Sequence, residues 1–256
     1  MEKKYFFEDI TLLITHYNRT SSLERLLSKF DTLKCSFREV IVSDDCSVVL
    51  HLEKLKKLSE IYRFKLLTSA VNRGLANNIN KGQDEVRTPF TLYVQEDFIP
   101  EDIFPEKLNV AVQALGERPD IDMVRFYAYF KYPYLKPYKG GFSEMTFKYL
   151  SMDYNKFYYY SDHPHLRRDN FTAKFGKYVE GIKSDRAEYK MMFSFLKAKG
   201  KALYYDDYQG LFEQKNDSAE PSTIKRNFLR ESSNSLIAGI RHLYRFIRFN
   251  IDLLRS

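Results

Sequence analysis

Four short polar clusters hold most of the chemistry available to this chain. They are Thr15-His16-Tyr17-Asn18-Arg19, Ser43-Asp44-Asp45-Cys46-Ser47, Asn72-Arg73-Gly74 and Gln95-Glu96-Asp97. Together they contain carboxylates, an arginine and a tyrosine. Carboxylate oxygens are hard ligands for divalent cations. A guanidinium offers a rigid donor fork matched to phosphate oxygens, and tyrosine joins a flat apolar face to a polar tip. Each cluster also has a plainer reading. Asp and Ser cap helices, Asn and Gly make turns, and Gln95-Glu96-Asp97 sits just ahead of Pro100. Glycine-rich phosphate loops are absent: no GxGxxG follows the first apolar run, and no GxxxxGK[ST] occurs anywhere. If these clusters bind a nucleotide, side chains and a metal must hold its phosphates.

The elements between the clusters decide whether they meet. Apolar, partly β-branched runs predict strands at Ile10–Ile14, Val40–Val42, Phe64–Leu67 and Phe90–Val94, and a further one over Met123–Phe130. Helical spacing of apolar residues predicts a helix from Thr20 carrying Leu23, Leu26, Leu27 and Phe30, with hydroxyls and Glu24 at its start. Further helices are predicted over Leu50–Tyr62, Leu75–Val86 and about Glu101–Leu115. This alternation predicts an α/β fold with a doubly wound, mostly parallel sheet. Ligands of such sheets bind beyond the carboxyl ends of the strands, which is where all four clusters fall.

The segments LLITHYNR, EVIVSDDCS, NRGLANNINKG, the QED after FTLYV, and FGKYVEG…AEYKM…KAKGKALYY, in that order, resemble a family 2 glycosyltransferase with the nucleotide-sugar-binding GT-A fold. The likeness runs from about Ile10 to Asp207. It implies transfer of a sugar, with inversion, from a nucleoside diphosphate donor to an acceptor hydroxyl in surface-polysaccharide synthesis. It also implies a role for each cluster. Thr15 and Tyr17 would lie against the base, with Asn18 and Arg19 beside them, and Asp44 or Asp45 would accept from its ring N–H. Asn72, Arg73 and Gly74 would approach the diphosphate. Asp97 would hold Mn²⁺ or Mg²⁺, with Glu96 reaching metal-bound water or ribose. Gln95 departs from the family's acidic triplet and suits a ribose hydroxyl better than a metal. In the ring-rich stretch Tyr158–Arg168, His163 and His165 would touch phosphate, sugar or metal. For the catalytic base, counting back from Gly200 along a helix Ala187–Lys199 puts Glu188-Tyr189 on the family's Glu-Asp pair. Glu188 is the nearest carboxylate, with Asp185 and Glu180 as runners-up.

The implied organisation is a donor half over 1–105, an acceptor half over 106–212, and a linker with a basic amphipathic helix over 213–256. Of 256 residues, 44% are hydrophobic and 29% charged, which fits a folded soluble chain. The net charge is +7. Residues 225–256 hold seven basic residues against two acidic ones, so most of the excess lies in the tail and argues against a nucleic-acid groove across the body. In that tail Leu236, Ile240, Leu243, Ile247 and Leu254 recur near helical spacing beside Arg241, Arg245 and Arg248. This suits peripheral contact of 236–256 with an anionic membrane or packing on the body or another subunit. Cys35 and Cys46 alone build no disulfide framework. With a poor leader at the N-terminus, the expected place is the cytoplasm or the inner face of the cell membrane. The expected partners are a nucleotide sugar and a glycan or lipid-linked acceptor. The competing readings are a sugar-phosphate nucleotidyltransferase and a scaffold protein that kept the fold.

Overall fold

The computed structural model describes residues 3–215 and 244–253. In chain order the elements are β1 (Tyr5–His16), α1 (Thr20–Thr32), β2 (Cys35–Asp44), α2 (Val49–Tyr62), β3 (Lys65–Leu67), α3 (Leu75–Asp84) and β4 (Phe90–Gln95). Then come β5 (Phe98–Pro100), α4 (Phe104–Glu117), β6 (Met123–Arg125), β7 (Leu135–Pro137), β8 (Phe142–Met145), a 3₁₀ turn (Tyr154–Phe157) and β9 (His165–Arg168). The rest are α5 (Phe171–Phe175), α6 (Ser184–Lys197), β10 (Ala202–Tyr205), β11 (Phe212–Gln214) and a helix α7 over 244–253.

Nine strands form one sheet in the order β3-β2-β1-β4-β9-β6-β10-β8-β7. β3, β2, β1 and β4 are mutually parallel, as are β6 and β10. β9 enters antiparallel between β4 and β6, and β8 lies antiparallel between β10 and β7. All strands but β8 and β9 therefore run one way. The carboxyl ends of β1, β2, β4, β6 and β10 share one edge, and β9 starts from that edge. β5 and β11 pair separately.

Both faces of the sheet are covered, so its central strands are apolar on both sides. Leu12 and Ile14 face the layer of α1, α2 and α4, packing with Leu23, Phe30, Leu55 and Leu108. Leu13 and Tyr93 face the layer of α3, α5 and α6, packing with Ile79, Phe171 and Phe195. α3 lies close against the sheet at Gly82. A Cβ there would stand 2.3 Å from Leu13 Cδ1 and 3.2 Å from Ser43 Cβ.

The strand–helix alternation of the first half is as expected, with local differences. α1 starts without a side-chain cap, because the Thr20 hydroxyl bonds His51 Nδ1 at 2.9 Å instead. The helix expected from Glu101 starts at Phe104, since β5 uses the chain just before it. The strand expected over Met123–Phe130 stops at Arg125. Beyond it, the N–H groups of Phe126 and Ala128 donate to Pro164 and Tyr208 rather than to a ladder. The ring-rich stretch Tyr158–Arg168 ends as β9, whose Arg168 donates to the carbonyls of Ile121, Leu115 and Arg118 at the close of α4. Of the expected linker and tail over 213–256, residues 216–243 and 254–256 lie outside the described residues, and with them Leu236, Ile240, Arg241, Leu243 and Leu254 of the basic stripe. Among the described residues no helix is long and apolar enough to cross a membrane.

Overpacking of this kind typically costs about 1–3 kcal/mol. Gly82→Ala is therefore expected to lower unfolding stability by roughly that amount, read by urea denaturation. A loss below about 0.5 kcal/mol would show that α3 can lift from the sheet freely.

Candidate active site

The carboxyl ends of β1 and β2 are locked together by a buried network. Asp44 accepts from His16 Nδ1 at 2.7 Å, from the Ser47 hydroxyl at 2.5 Å and from the Ser47 backbone N–H at 2.9 Å. The Arg19 N–H donates to His16 Nε2, which leaves the ring proton on Nδ1. Burial alone would raise the Asp44 pKa, but the hydrogen bonds from His16 and Ser47 outweigh it and hold the carboxyl below its usual range. Asn18, at φ +54°, donates its N–H to the Ser47 hydroxyl and accepts from the Val48 N–H, each at 2.8 Å. Asp44 and Asn18 thus hold the loops to each other.

Asp45, the next residue, points to the opposite side. It accepts from the backbone N–H groups of Arg73 at 2.9 Å and Gly74 at 2.7 Å. Gly74 sits at φ +85°, a conformation glycine adopts without strain. Asn72 Oδ1 accepts from the same Gly74 N–H at 3.1 Å. This turn fixes its backbone and leaves the Arg73 side chain exposed. Tyr17 is half-buried at the end of β1.

At the end of β4 lies a second set. The Arg19 guanidinium is buried, 3.3 Å from Asp97 Oδ2 and 3.5 Å from Glu96 Oε1. Gln214 Nε2 donates to Asp97 Oδ2 at 3.0 Å. Asp97 Oδ1 is buried and has no hydrogen-bond partner. Among the described residues no group of three or more His, Cys, Asp and Glu converges on one point. A divalent cation held here would take a single carboxylate and complete its shell with water and phosphate oxygens. That donor set suits Mg²⁺, and the unmatched Asp97 Oδ1 fits it.

Gln95 Nε2 donates to the Asp162 carbonyl at 3.3 Å, and the Asp162 N–H donates to Glu188 Oε1 at 3.2 Å. This short chain carries the β4 end to a cavity of about 1030 Å³. Glu188 and Asp185 line it from α6. Burial, then the adjoining Glu188 carboxyl, push the Asp162 pKa well above the usual carboxylate range. Tyr129, another lining residue, donates to Gln214 Oε1 at 2.9 Å. The Asp97 corner and the cavity thus share a wall.

α7 roofs the cavity. Its Phe249 ring meets Phe157 at 5.1 Å and Tyr189 at 4.9 Å, and the Tyr189 hydroxyl donates to Asp252 at 2.7 Å. Arg245 and Arg248 face the cavity. The described part of the basic helix therefore packs on the body.

Several expected roles change. The Thr15 hydroxyl is buried against the Tyr93 hydroxyl at 3.0 Å. Asn18, Arg19 and Asp44 have their polar atoms turned toward neighbouring loops, so of the two aspartates it is Asp45 that borders the Arg73 turn. His165 is buried inside the sheet with Nδ1 on the His163 carbonyl oxygen. Burial and Arg167 hold its pKa far below the usual imidazole value, and it does not reach the cavity. His163 does line the cavity; burial and Arg125 push its pKa down to about 3. Glu180 is fixed by Asn77 and Asn80, away from the cavity lining. Asp162, Arg125 and Gln214 were not singled out in the sequence. Asp162 stood beside the two histidines, but a lone acid in a ring-rich stretch carries no spacing signal.

The family described as "Glycosyl transferase family 2" matches residues 11–176. Poly-beta-1,6-N-acetyl-D-glucosamine synthase of Staphylococcus aureus is 30% identical over 92 residues, 36% of this chain and 22% of that protein. The chain thus spans about a fifth of the length of this curated relative. Among solved structures, S. aureus TarS 1–349 in complex with UDP-GlcNAc superposes with a TM-score of 0.61 at 17% identity, covering 95% of this chain and 73% of that one. The mannosyltransferase PcManGT from Pyrobaculum calidifontis, in complex with GDP-Man and Mn²⁺, gives 0.58 at 13% identity, covering 96% and 65%.

The depressed Asp44 pKa has a consequence for acid stability. Its contribution is complete above the ordinary value of 3.8 and is lost as pH falls through the lower folded value. Asp44→Asn is expected to cost about 1.5–3 kcal/mol at pH 7, and the gap from the wild-type protein should narrow below about pH 4. Urea unfolding at pH 7 and pH 3 reads both; a gap that stays constant with pH would contradict the assignment.

Proposed function

Because this chain belongs to glycosyl transferase family 2, matched over residues 11–176, we propose that it moves a sugar from a nucleoside diphosphate donor to an acceptor hydroxyl in surface-glycan synthesis. The observation that carries this reading is the pairing of Asp97, whose buried Oδ1 lacks a partner, with Glu188 in the cavity behind the same wall. The donor side is residues 1–105 and the acceptor side 106–212, with the tail covering the acceptor side. The UDP-GlcNAc of the TarS complex and the GDP-Man and Mn²⁺ of the archaeal enzyme support a nucleotide sugar and a divalent metal for this fold. No observation favours a nucleotidyltransferase or a scaffold.

Each residue has a definable part. Tyr17 and Asp45 border the base and ribose end of the donor, with Gln95 at the ribose. Asp45 holds the Arg73–Gly74 turn rigid, so that the exposed Arg73 guanidinium meets phosphate oxygens with little ordering cost. Asp97 would hold the divalent cation, Mn²⁺ or Mg²⁺, whose charge would offset that of the leaving diphosphate. Arg19 offsets the remaining charge of Glu96 and Asp97. Glu188 accepts the proton of the attacking hydroxyl. Attack from the side opposite the diphosphate inverts the anomeric carbon. Asp185 borders the acceptor from the first turn of α6. The chain works in the cytoplasm, and its tail can bring it to the membrane where lipid-linked acceptors reside. Tyr244, Ile247 and Ile251 are exposed on α7, which supports that contact.

Release of nucleoside diphosphate from a panel of nucleotide sugars, with and without Mn²⁺, tests this reading. One donor should turn over, and chelation should suppress it. Asp97→Asn should abolish turnover while melting near the wild-type temperature. Glu188→Gln should lower kcat about 10²- to 10⁴-fold, the usual worth of a general base, with donor KM little changed. Failure of every nucleotide sugar to bind or turn over would overturn the proposal.

A further inference from the structure

The cavity beneath α7 carries more positive charge than a neutral sugar requires. Arg125 stands at its floor, only 3% exposed. Among the described residues it makes a single hydrogen bond, from Nη1 to the Tyr158 carbonyl oxygen at 2.6 Å, and it packs 5.6 Å from the Tyr204 ring centre. Arg245 and Arg248 line the roof from α7. Arg245 lies 5.9 Å from the Tyr154 ring centre. Arg248 lies 5.8 Å from that of Tyr189 and 3.6 Å from Asp252. Lys183 and Arg186 line the rim where α6 begins, and the amino end of that 14-residue helix adds partial positive charge. Against these five cations the lining holds two acids, Asp185 and Glu188.

Burying a guanidinium whose one side-chain hydrogen bond is to a neutral carbonyl is costly; the nearby Glu188 offsets part of that cost, and an anion entering the cavity offsets more. The walls supply Tyr129, Tyr158, Tyr160 and Tyr204, flat faces with polar tips, together with the Phe130 ring, and such faces suit sugar rings. Cations ringed by tyrosines call for a ligand that is both sugar-like and negatively charged.

We propose that the acceptor is an anionic glycan, with a phosphate or carboxylate gripped between Arg125 on the floor and Arg245 and Arg248 on the roof. This rests on reading the cavity as the acceptor side of a glycosyltransferase. The negative group anchors the sugar, and Glu188 meets the hydroxyl that reacts.

Titration calorimetry on the full 256-residue protein tests it, using maltotriose, maltotriose carrying one phosphate monoester, and a glucuronate trisaccharide. A charged probe should bind about ten-fold tighter than the neutral one, in keeping with charge-assisted hydrogen bonds. Preference for the phosphate points to a phosphate-bearing carrier, and preference for the glucuronate points to an acidic sugar. The double variant Arg245→Gln with Arg248→Gln should lose most of that preference while its weak binding of neutral maltotriose changes less than about two-fold. Equal binding of charged and neutral probes overturns the inference. So does a variant that weakens both alike, which would mean only that α7 has come loose, and so does a short oligonucleotide that displaces the charged sugars. Nucleotide-sugar binding, measured on the same protein, separates the two readings. If it is present without charge preference, only the anionic acceptor fails; if it is absent while charged sugars bind, only the glycosyltransferase reading fails.

Discussion

Buried carboxylates at strand ends are costly unless each finds a compensating partner. This fold places four of them at the ends of β2 and β4: Asp44, Asp45, Glu96 and Asp97. The site is built around meeting that cost. Asp44 takes His16 and Ser47, Asp45 takes two backbone N–H groups of the Arg73 turn, and Glu96 and Asp97 share Arg19. In a chain without a glycine-rich loop, these bonds are what hold the loops in one conformation. Asp97 Oδ1 stands apart as a buried carboxylate oxygen with no hydrogen-bond partner, and the proposed metal chemistry begins from that shortfall.

The acceptor side meets the same difficulty by another route. Aromatic side chains from residues 129–132 beyond β6, the 154–163 stretch, α6, β10 and α7 line the cavity. Tyr189 shows the exchange involved. It occupies the place where the family resemblance implies an acid, and its hydroxyl instead ties down Asp252 of α7. Glu188, one position earlier on the helix, remains at the cavity together with Asp185. Docking of α7 thereby turns two tail arginines from free surface charge into part of the lining.

Much of the framework was legible because its causes are local. Apolar runs at Ile10–Ile14, Val40–Val42 and Phe90–Val94, and the stripe Leu23, Leu26, Leu27 and Phe30, follow periods of 2.0 and 3.6 that need no distant partner. Elements ended less legibly. The Met123 strand stops where the next N–H groups find acceptors in Pro164 and Tyr208, far along the chain. The stretch ending at Arg168 becomes a strand only because β4 and β6 leave room between them.

By its own order, the sequence determined that four polar clusters would follow successive strands, and with that the edge on which a ligand would sit. It could not say which member of Asp44-Asp45 looks toward that ligand. Adjacent residues at a strand end point opposite ways, and only the position of His16 and of the Arg73 turn decides between them. Nor could it pair Arg19 with Asp97, Asp162 with Glu188, or Tyr189 with Asp252. Those partners lie far apart along the chain, and their meeting is a matter of packing, which no local period records.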